Sequence, residues 1–307
     1  MKFEIFLSLR GKLFVLVGPT GVGKTDISLM LAKRLGCDIV SCDSRQMFRE
    51  MRIGTAAPTD EQLAEVKHHF VACRSINEPY SAGQFELDAI PVIEAEIART
   101  GSALLTGGSM LYADAICRGI DDLPTIDAET RQSVAEFYEH HGIEGIRRRL
   151  RQLDPEHYAE VDLKNAKRMM HALEVMQMTG RKFSELRTNR VKERSFDIVK
   201  IGLNRPRAEL YERINQRTLQ MMEQGLEQEA RSLYPYRQLN ALNTVGYKEL
   251  FNYFDGTWTR DFAIGMIQQN TRRYAKKQLS WFGRDPEIKW FHPDEEEKIF
   301  HELGIRS

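Results

Sequence analysis

The stretch GPTGVGKT, Gly18 to Thr25, stands directly behind the apolar run LFVLV and directly ahead of DISLMLAKRL. That order dictates a strand, a glycine-rich turn and a helix, with the turn shaped to hold an anion. Gly18, Gly21 and Gly23 let the backbone direct its N–H groups inward, with Pro19, Thr20 and Val22 completing the loop. Lys24 adds a point charge, and the hydroxyl of Thr25 is placed for Mg²⁺. A unit of this kind belongs at the carboxyl edge of a parallel sheet, which is where the functional groups of such a fold collect.

The rest of the chain fits that frame. CDIVSCD reads as a short strand ending in an acid, QFELDAIPVIEAEIART as a helix broken at Pro91, and SALLTGG as another strand stopped by glycines. From about Arg118 to Arg194 strand signals cease. DAETRQSVAEFYEHHGIEGIRRRLRQL and DLKNAKRMMHALEVMQMTG have helical period, the second ending at Gly180. FDIVKIGL then returns as a strand, followed by the helix RAELYERINQRTLQMMEQGLEQEARSL and a helical last third. The prediction is an α/β, P-loop NTPase-like core with a parallel sheet and helices on both faces, over residues 12–117 and 195–307, interrupted by an all-helical insertion at 118–194.

Charge narrows the partners. The 44 basic and 44 acidic residues cancel, but the balance is local: Gly142 to Arg194 holds 13 Lys and Arg against 8 acids, and Thr271 to Arg284 holds 5 against none. These are two regions on which a phosphate backbone can lie. The opening MKFEIFLSLR is interrupted by Glu4 and has no small-residue cleavage site, so a cytoplasmic chain without a membrane span is expected. Cys37, Cys42, Cys73 and Cys117 lack CxxC spacing and are expected as reduced thiols.

Several residues stand out. A phosphate loop serving nucleotide hydrolysis needs an acid at the end of a later strand to hold Mg²⁺, yet SALLTGGS ends in Gly107, Gly108 and Ser109. The acid falls earlier, at Asp43, where a carboxylate can bind a hydroxyl or amine, ligate Mg²⁺, act as a base, or simply cap a turn. Lys164, Lys167, Arg168 and His171 share one helix face opposite Ala166, Met169, Met170, Leu173 and Met176; such a stripe is either a solvated face or an RNA contact. In the later helix Leu210, Ile214 and Met221 form an apolar seam with Arg217 inside it and Arg213 a turn before. A guanidinium there needs an anion, either a protein carboxylate or a ligand phosphate. NTRRYAKKQLSWFGR interleaves Arg272, Arg273, Lys276 and Lys277 with Tyr274, Trp281 and Phe282, a composition that suits RNA or a core.

Taken together, these residues resemble a family, the bacterial-type tRNA dimethylallyltransferases, over Leu13 to about Phe291. The resemblance rests on GPTGVGKT, SCDSRQMFREMRIGTAAPT, HHF, YSAGQF, TGGSMLY, KRMMHALEV, GYKEL and NTRRYAKKQLSWF. Phe48, Ala57, Ser109 and His171 depart from the family's usual Tyr, Lys, Thr and Arg. The resemblance implies transfer of a dimethylallyl group from dimethylallyl diphosphate to N6 of adenine 37, beside the anticodon, in tRNAs that read codons beginning with U. It implies Mg²⁺ as cofactor and a monomer. Asp43 would be the base, while Lys24, Ser109, Arg213, Arg217 and the loop hold the diphosphate. Asp43, Ser44, Arg45, Gln46 and Ser109 would meet the target base. Arg131 and the segment Lys167, Arg168, Met169, Met170 and His171 would meet the anticodon stem-loop. Two rival readings remain: a P-loop nucleotide or small-molecule kinase with RRRLRQLDPE as its lid, and a non-catalytic RNA-binding protein with a relic loop.

Overall fold

A computed structural model describes residues 11–188 and 190–305. The amino-terminal stretch read as no signal peptide lies outside the described residues. Within them, no helix is long and apolar enough to cross a membrane.

Six strands form one parallel sheet: β1 (Lys12–Val17), β2 (Ile39–Ser41), β3 (His68–His69), β4 (Ser102–Gly107), β5 (Asp197–Leu203) and β6 (Lys289–Phe291), in the order β3-β2-β4-β1-β5-β6. β1 lies centrally between β4 and β5, and Leu13 to Val17 are buried on both its faces. Alternate residues serve opposite layers. Leu13, Val15 and Val17 pack with Phe85, Ala89 and Ile93, whereas Phe14 and Leu16 pack with Ile27, Leu31, Leu210 and Ile214. Burial on both faces is what a parallel sheet with two helical layers requires.

The chain divides into two compact units, one from the amino terminus to Cys117 together with Glu193 onward, the other Arg118–Lys192. The second unit has its own core, built on Val134, Ile146, Leu150, Met169, Leu173 and Val175. Its long helix Ala128–Leu153 bends at Gly142. Arg194, expected in the insertion, instead belongs to the first unit, where its guanidinium pairs with buried Glu86 at 2.8 Å and donates to the carbonyls of Ala115 and Ile116.

Local readings were corrected in three places. The helix Ala82–Thr100 runs through Pro91 without a break. Proline removes the bond to the carbonyl four residues back, that of Leu87, and both Pro91 and Leu87 lie on the exposed side of this helix. The single helix expected over 207–233 is two, Arg207–Glu223 and Leu226–Leu233, because Gly225 adopts φ 103° between them. Its seam is Leu210, Ile214, Thr218 and Met222; Met221 is only half-buried and lines the cleft beside Arg217.

Candidate active site

The carboxyl ends of β1, β2 and β4 open on a cleft of about 1300 Å³. Gly23, at φ 111°, turns the chain from the loop into the helix Lys24–Leu35 in a conformation that costs glycine little. The loop is fixed from several sides. Lys24 Nζ donates to the carbonyls of Gly18 and Pro19 at 2.9 and 3.0 Å. Arg213 Nε donates to Gly21 O at 2.9 Å, and Arg205 Nε to Val22 O at 2.8 Å. Not all eight loop residues can offer an amide to an anion. Pro19 has none, the Thr20 amide donates to Gln278 Oε1 at 2.9 Å, and the Val22 amide to Pro19 O at 3.3 Å. Gly18, Pro19 and Val22 shape the loop, while Gly21, Gly23, Lys24 and Thr25 line the cleft.

Apart from Arg205, which pairs with Glu209 and Asp294, three cations converge on this loop, Lys24, Arg213 and Arg217. Arg217 reaches the Thr20 hydroxyl at 3.5 Å. Among the described residues neither Arg213 nor Arg217 forms an ion pair with a carboxylate, so the buried Arg–carboxylate pair expected as one reading of Arg217 is not what the fold contains. Burial pushes the Arg217 guanidinium below its usual range, Asp43 opposing and Arg213 adding to the fall. Burial likewise pushes the Lys24 ammonium down to about 8, with Asp43 opposing and Arg217 adding. Three positive groups sharing one nearby carboxylate make a site that favours a multiply charged anion.

Asp43 follows β2, across the end of β4 from the loop. Its Oδ1 accepts the amides of Arg45 and Gln46 at 2.9 and 3.3 Å, so it does cap a turn, but only one of its two oxygens is used in that way. The close approach of β2 and β4 depends on Gly107: a β-carbon there would sit 2.7 Å from the carbonyl carbon and sulfur of Cys42. Ser109, buried at the start of the next helix, accepts the Ser44 amide at 2.8 Å and donates to the Ser44 hydroxyl at 2.9 Å. Arg45 lines the same cleft, its guanidinium pushed down by burial and held up by Tyr112, Asp43 and Tyr274.

Thus Lys24, Thr25, Asp43, Ser44, Arg45, Gln46, Ser109, Arg213 and Arg217, drawn from four parts of the sequence, line one cleft. Arg131, Lys167, Arg168 and His171 lie exposed on the other unit. Met169 is not available to a partner: its side chain is fully buried in that unit's core, with Met170 half-buried beside it. Residues not singled out from the sequence also matter. Buried Gln278 donates to Gly108 O at 2.7 Å while accepting from Thr20, tying the phosphate loop to the turn after β4. Its only sequence signal is a glutamine on the apolar side of a helix otherwise rich in surface cations. Tyr274 and Lys277 line the cleft, whereas Trp281 bonds Asp114 and Phe282 joins the core. All four cysteines are free thiols.

A phosphate loop opposed by a lone carboxylate, on a parallel sheet with a helical insertion, defines a P-loop group-transfer protein. The IPP transferase family model matches residues 46–285. The chain is 55% identical over 276 residues to tRNA dimethylallyltransferase 1 of Phocaeicola vulgatus, covering 90% of this chain and 92% of that one. It is likewise 55% identical over 277 residues to tRNA dimethylallyltransferase 1 of Porphyromonas gingivalis, at the same two coverages. The full-length tRNA isopentenylpyrophosphate transferase of Bacillus halodurans has a similar structure, with a TM-score of 0.70, 35% identity and 96% coverage of both chains. A eukaryotic dimethylallyltransferase solved acting on tRNA shares the fold at a TM-score of 0.79 and 22% identity, over 94% of this chain and 78% of that one. The chain belongs to the IPP transferase family, the tRNA dimethylallyltransferases, and not to the kinases.

Proposed function

We propose that this protein transfers the dimethylallyl group of dimethylallyl diphosphate to N6 of adenine 37 in tRNAs that read codons beginning with U. The observation that carries this reading is the cleft itself: Lys24, Arg213 and Arg217 cluster at the loop without an ion pair to a carboxylate among the described residues, and Asp43 faces the same space with one oxygen uncommitted to its turn. In the reaction the bond between the allylic carbon and the diphosphate oxygen breaks, its electrons leaving with the diphosphate. The adenine N6 lone pair forms the new carbon–nitrogen bond, and an N6 proton passes to the Asp43 carboxylate. An amine conjugated to a purine is a weak nucleophile, so a base placed against it contributes most as the bond forms. Charge growing on the departing diphosphate is met by the loop amides, Lys24, Arg213 and Arg217.

Magnesium fits the donor set. Thr25 would supply one oxygen at the start of its helix and the diphosphate others, in keeping with an ion that retains water and takes few protein ligands. When bound it would neutralise diphosphate charge. Among the described residues the one cluster of three metal-ligand types is Asp38, His69 and Glu96, and Lys67 and Arg99 already pair with its carboxylates.

The target base must leave its stack to enter the cleft, where Ser44, Arg45, Gln46 and Ser109 surround Asp43. Arg131, Lys167, Arg168 and His171 would hold the anticodon stem-loop by its phosphates, and the enzyme would work as a monomer in the cytoplasm. The decisive experiment mixes protein, Mg²⁺, unmodified tRNA and labelled dimethylallyl diphosphate, with labelled ATP as control. Label entering adenine 37, and lost with Asp43→Ala, is expected. Transfer of phosphate from ATP with no prenylation would overturn the reading.

A further inference from the structure

Beside Asp43 the cleft wall is a turn, residues 53–57, whose shape is imposed from far along the chain. Glu229, in the helix Leu226–Leu233, accepts the amides of Ile53 and Gly54, both at 2.8 Å, one on each carboxylate oxygen. Fully buried Tyr247 donates its hydroxyl to the same Glu229 at 2.7 Å. The tyrosine passes directly beneath the turn, and a β-carbon at Gly54 would stand 2.5 Å from its hydroxyl. So constrained, the turn carries Ala56 at φ 46°, a left-handed conformation that alanine adopts only when its surroundings insist.

The consequence falls on Gln46. Its Nε2 donates to the carbonyls of both Thr55 and Ala56 at 3.1 Å. Two carbonyls can be answered only by the NH₂ end of a carboxamide, so the flip of this side chain is decided by the turn. Both Nε2 hydrogens are spent there, and Oε1, which accepts no hydrogen bond among the described residues, is the end left for a ligand. With the Gln46 amide bonded to Asp43 Oδ1, the two side chains present acceptors to one region of the cleft.

We propose that Glu229 and Tyr247 are positioning residues which, through the 53–57 turn, lock the Gln46 carboxamide with its oxygen toward the substrate base, so that the site accepts an exocyclic amino group and repels a carbonyl at the same position. This rests on the transferase reading above. An amino group offers two hydrogens to two acceptors. A 6-oxo purine would set its oxygen against both, and the locked amide cannot rotate to answer it.

The test uses the full-length enzyme and two anticodon stem-loops, one with adenine and one with inosine at the target position. The inosine loop is scored as a competitive inhibitor, and discrimination is the ratio of its inhibition constant to the KM of the adenine loop. In Glu229→Gln, which keeps shape but replaces one carboxylate acceptor by a donor facing the turn amides, discrimination should fall about tenfold, and in Gln46→Ala by at least as much. KM for dimethylallyl diphosphate should stay within about twofold, which separates lost positioning from general damage. Tyr247→Phe, which removes only a hydroxyl, should fall between wild type and Glu229→Gln and covers the case in which Glu229→Gln does not fold. Unchanged discrimination in both clamp variants, with Gln46→Ala lowering it, overturns the clamp. Unchanged discrimination in Gln46→Ala overturns the role of Gln46. If wild type prenylates no adenine loop at all, it is the transferase reading that fails.

Discussion

In the proposed function, Lys24 connects donor binding to pH. Burial holds its ammonium at about 8 instead of the ordinary 10.5, with Arg217 adding to the fall and Asp43 opposing it. The bound diphosphate requires the charged form and, once seated, holds the proton in place. The free protein must therefore be protonated at Lys24 to bind, and affinity is lost as pH rises through the free-state value. A group titrating near 8 is about three-quarters charged at pH 7.5 and about one-tenth charged at pH 9, so affinity for a non-transferable alkyl diphosphate should drop about eightfold across that interval. The ligand contributes little to the change, because its last phosphate proton is mostly gone by pH 7.5. Calorimetry at fixed Mg²⁺ reads the affinity, and a dependence of the heat on buffer ionisation enthalpy at pH 8.5 reads the proton taken up. Lys24→Arg, charged throughout, should bind with flat pH dependence whatever its affinity. Arg217→Gln removes a cation that adds to the depression of Lys24 by burial and should move the fall to higher pH. Equal wild-type affinity at pH 7.5 and 9, or an identical fall in Lys24→Arg, would refute the argument.

Three further outcomes follow from the geometry. Asp43→Asn keeps the turn-capping oxygen but removes the proposed base, so the single-turnover transfer rate should drop about 10²- to 10⁴-fold while tRNA binding, measured by filter retention, changes little. Gly107→Ala pushes a methyl into the backbone of Cys42 and should cost about 1–3 kcal/mol, read as a lower thermal midpoint together with slower transfer, because the ends of β2 and β4 carry the site. The double variant Lys167→Ala, Arg168→Ala should lower the salt dependence of tRNA binding by up to about two ion equivalents while leaving KM for dimethylallyl diphosphate unchanged.

Much of this protein is written locally. The apolar run of β1, the glycines behind it and the helix after them are consecutive, so that short stretch fixes strand, loop and helix together. The loss of strand signals after Arg118 marks the insertion to within two residues of its return, because helical period persists over many turns. Elements too short for a period escape such reading: β3 has two residues and β6 three, and both exist because a neighbouring strand offers unpaired backbone groups. Pro91 shows the converse, a local breaker carried within a helix that runs on through it, on the helix's exposed side.

The site divides in the same way. Lys24 and Thr25 declare themselves by residue type at the start of the helix after the loop, and Asp43 by its place just beyond β2, but what each can do was decided by contacts between distant segments. Gln278 takes the Thr20 amide from 258 residues away, leaving the loop fewer donors than its sequence offers. Glu229, 175 residues beyond Gly54, shapes the turn that fixes which end of Gln46 faces the cleft. Arg217 could be read either as half of an ion pair or as a ligand's partner until packing left it, among the described residues, without an ion pair to a carboxylate. Periodicity and motif spacing encode what neighbours along the chain must do. Which buried donor meets which acceptor depends on how layers stack, and only the folded chain settles that.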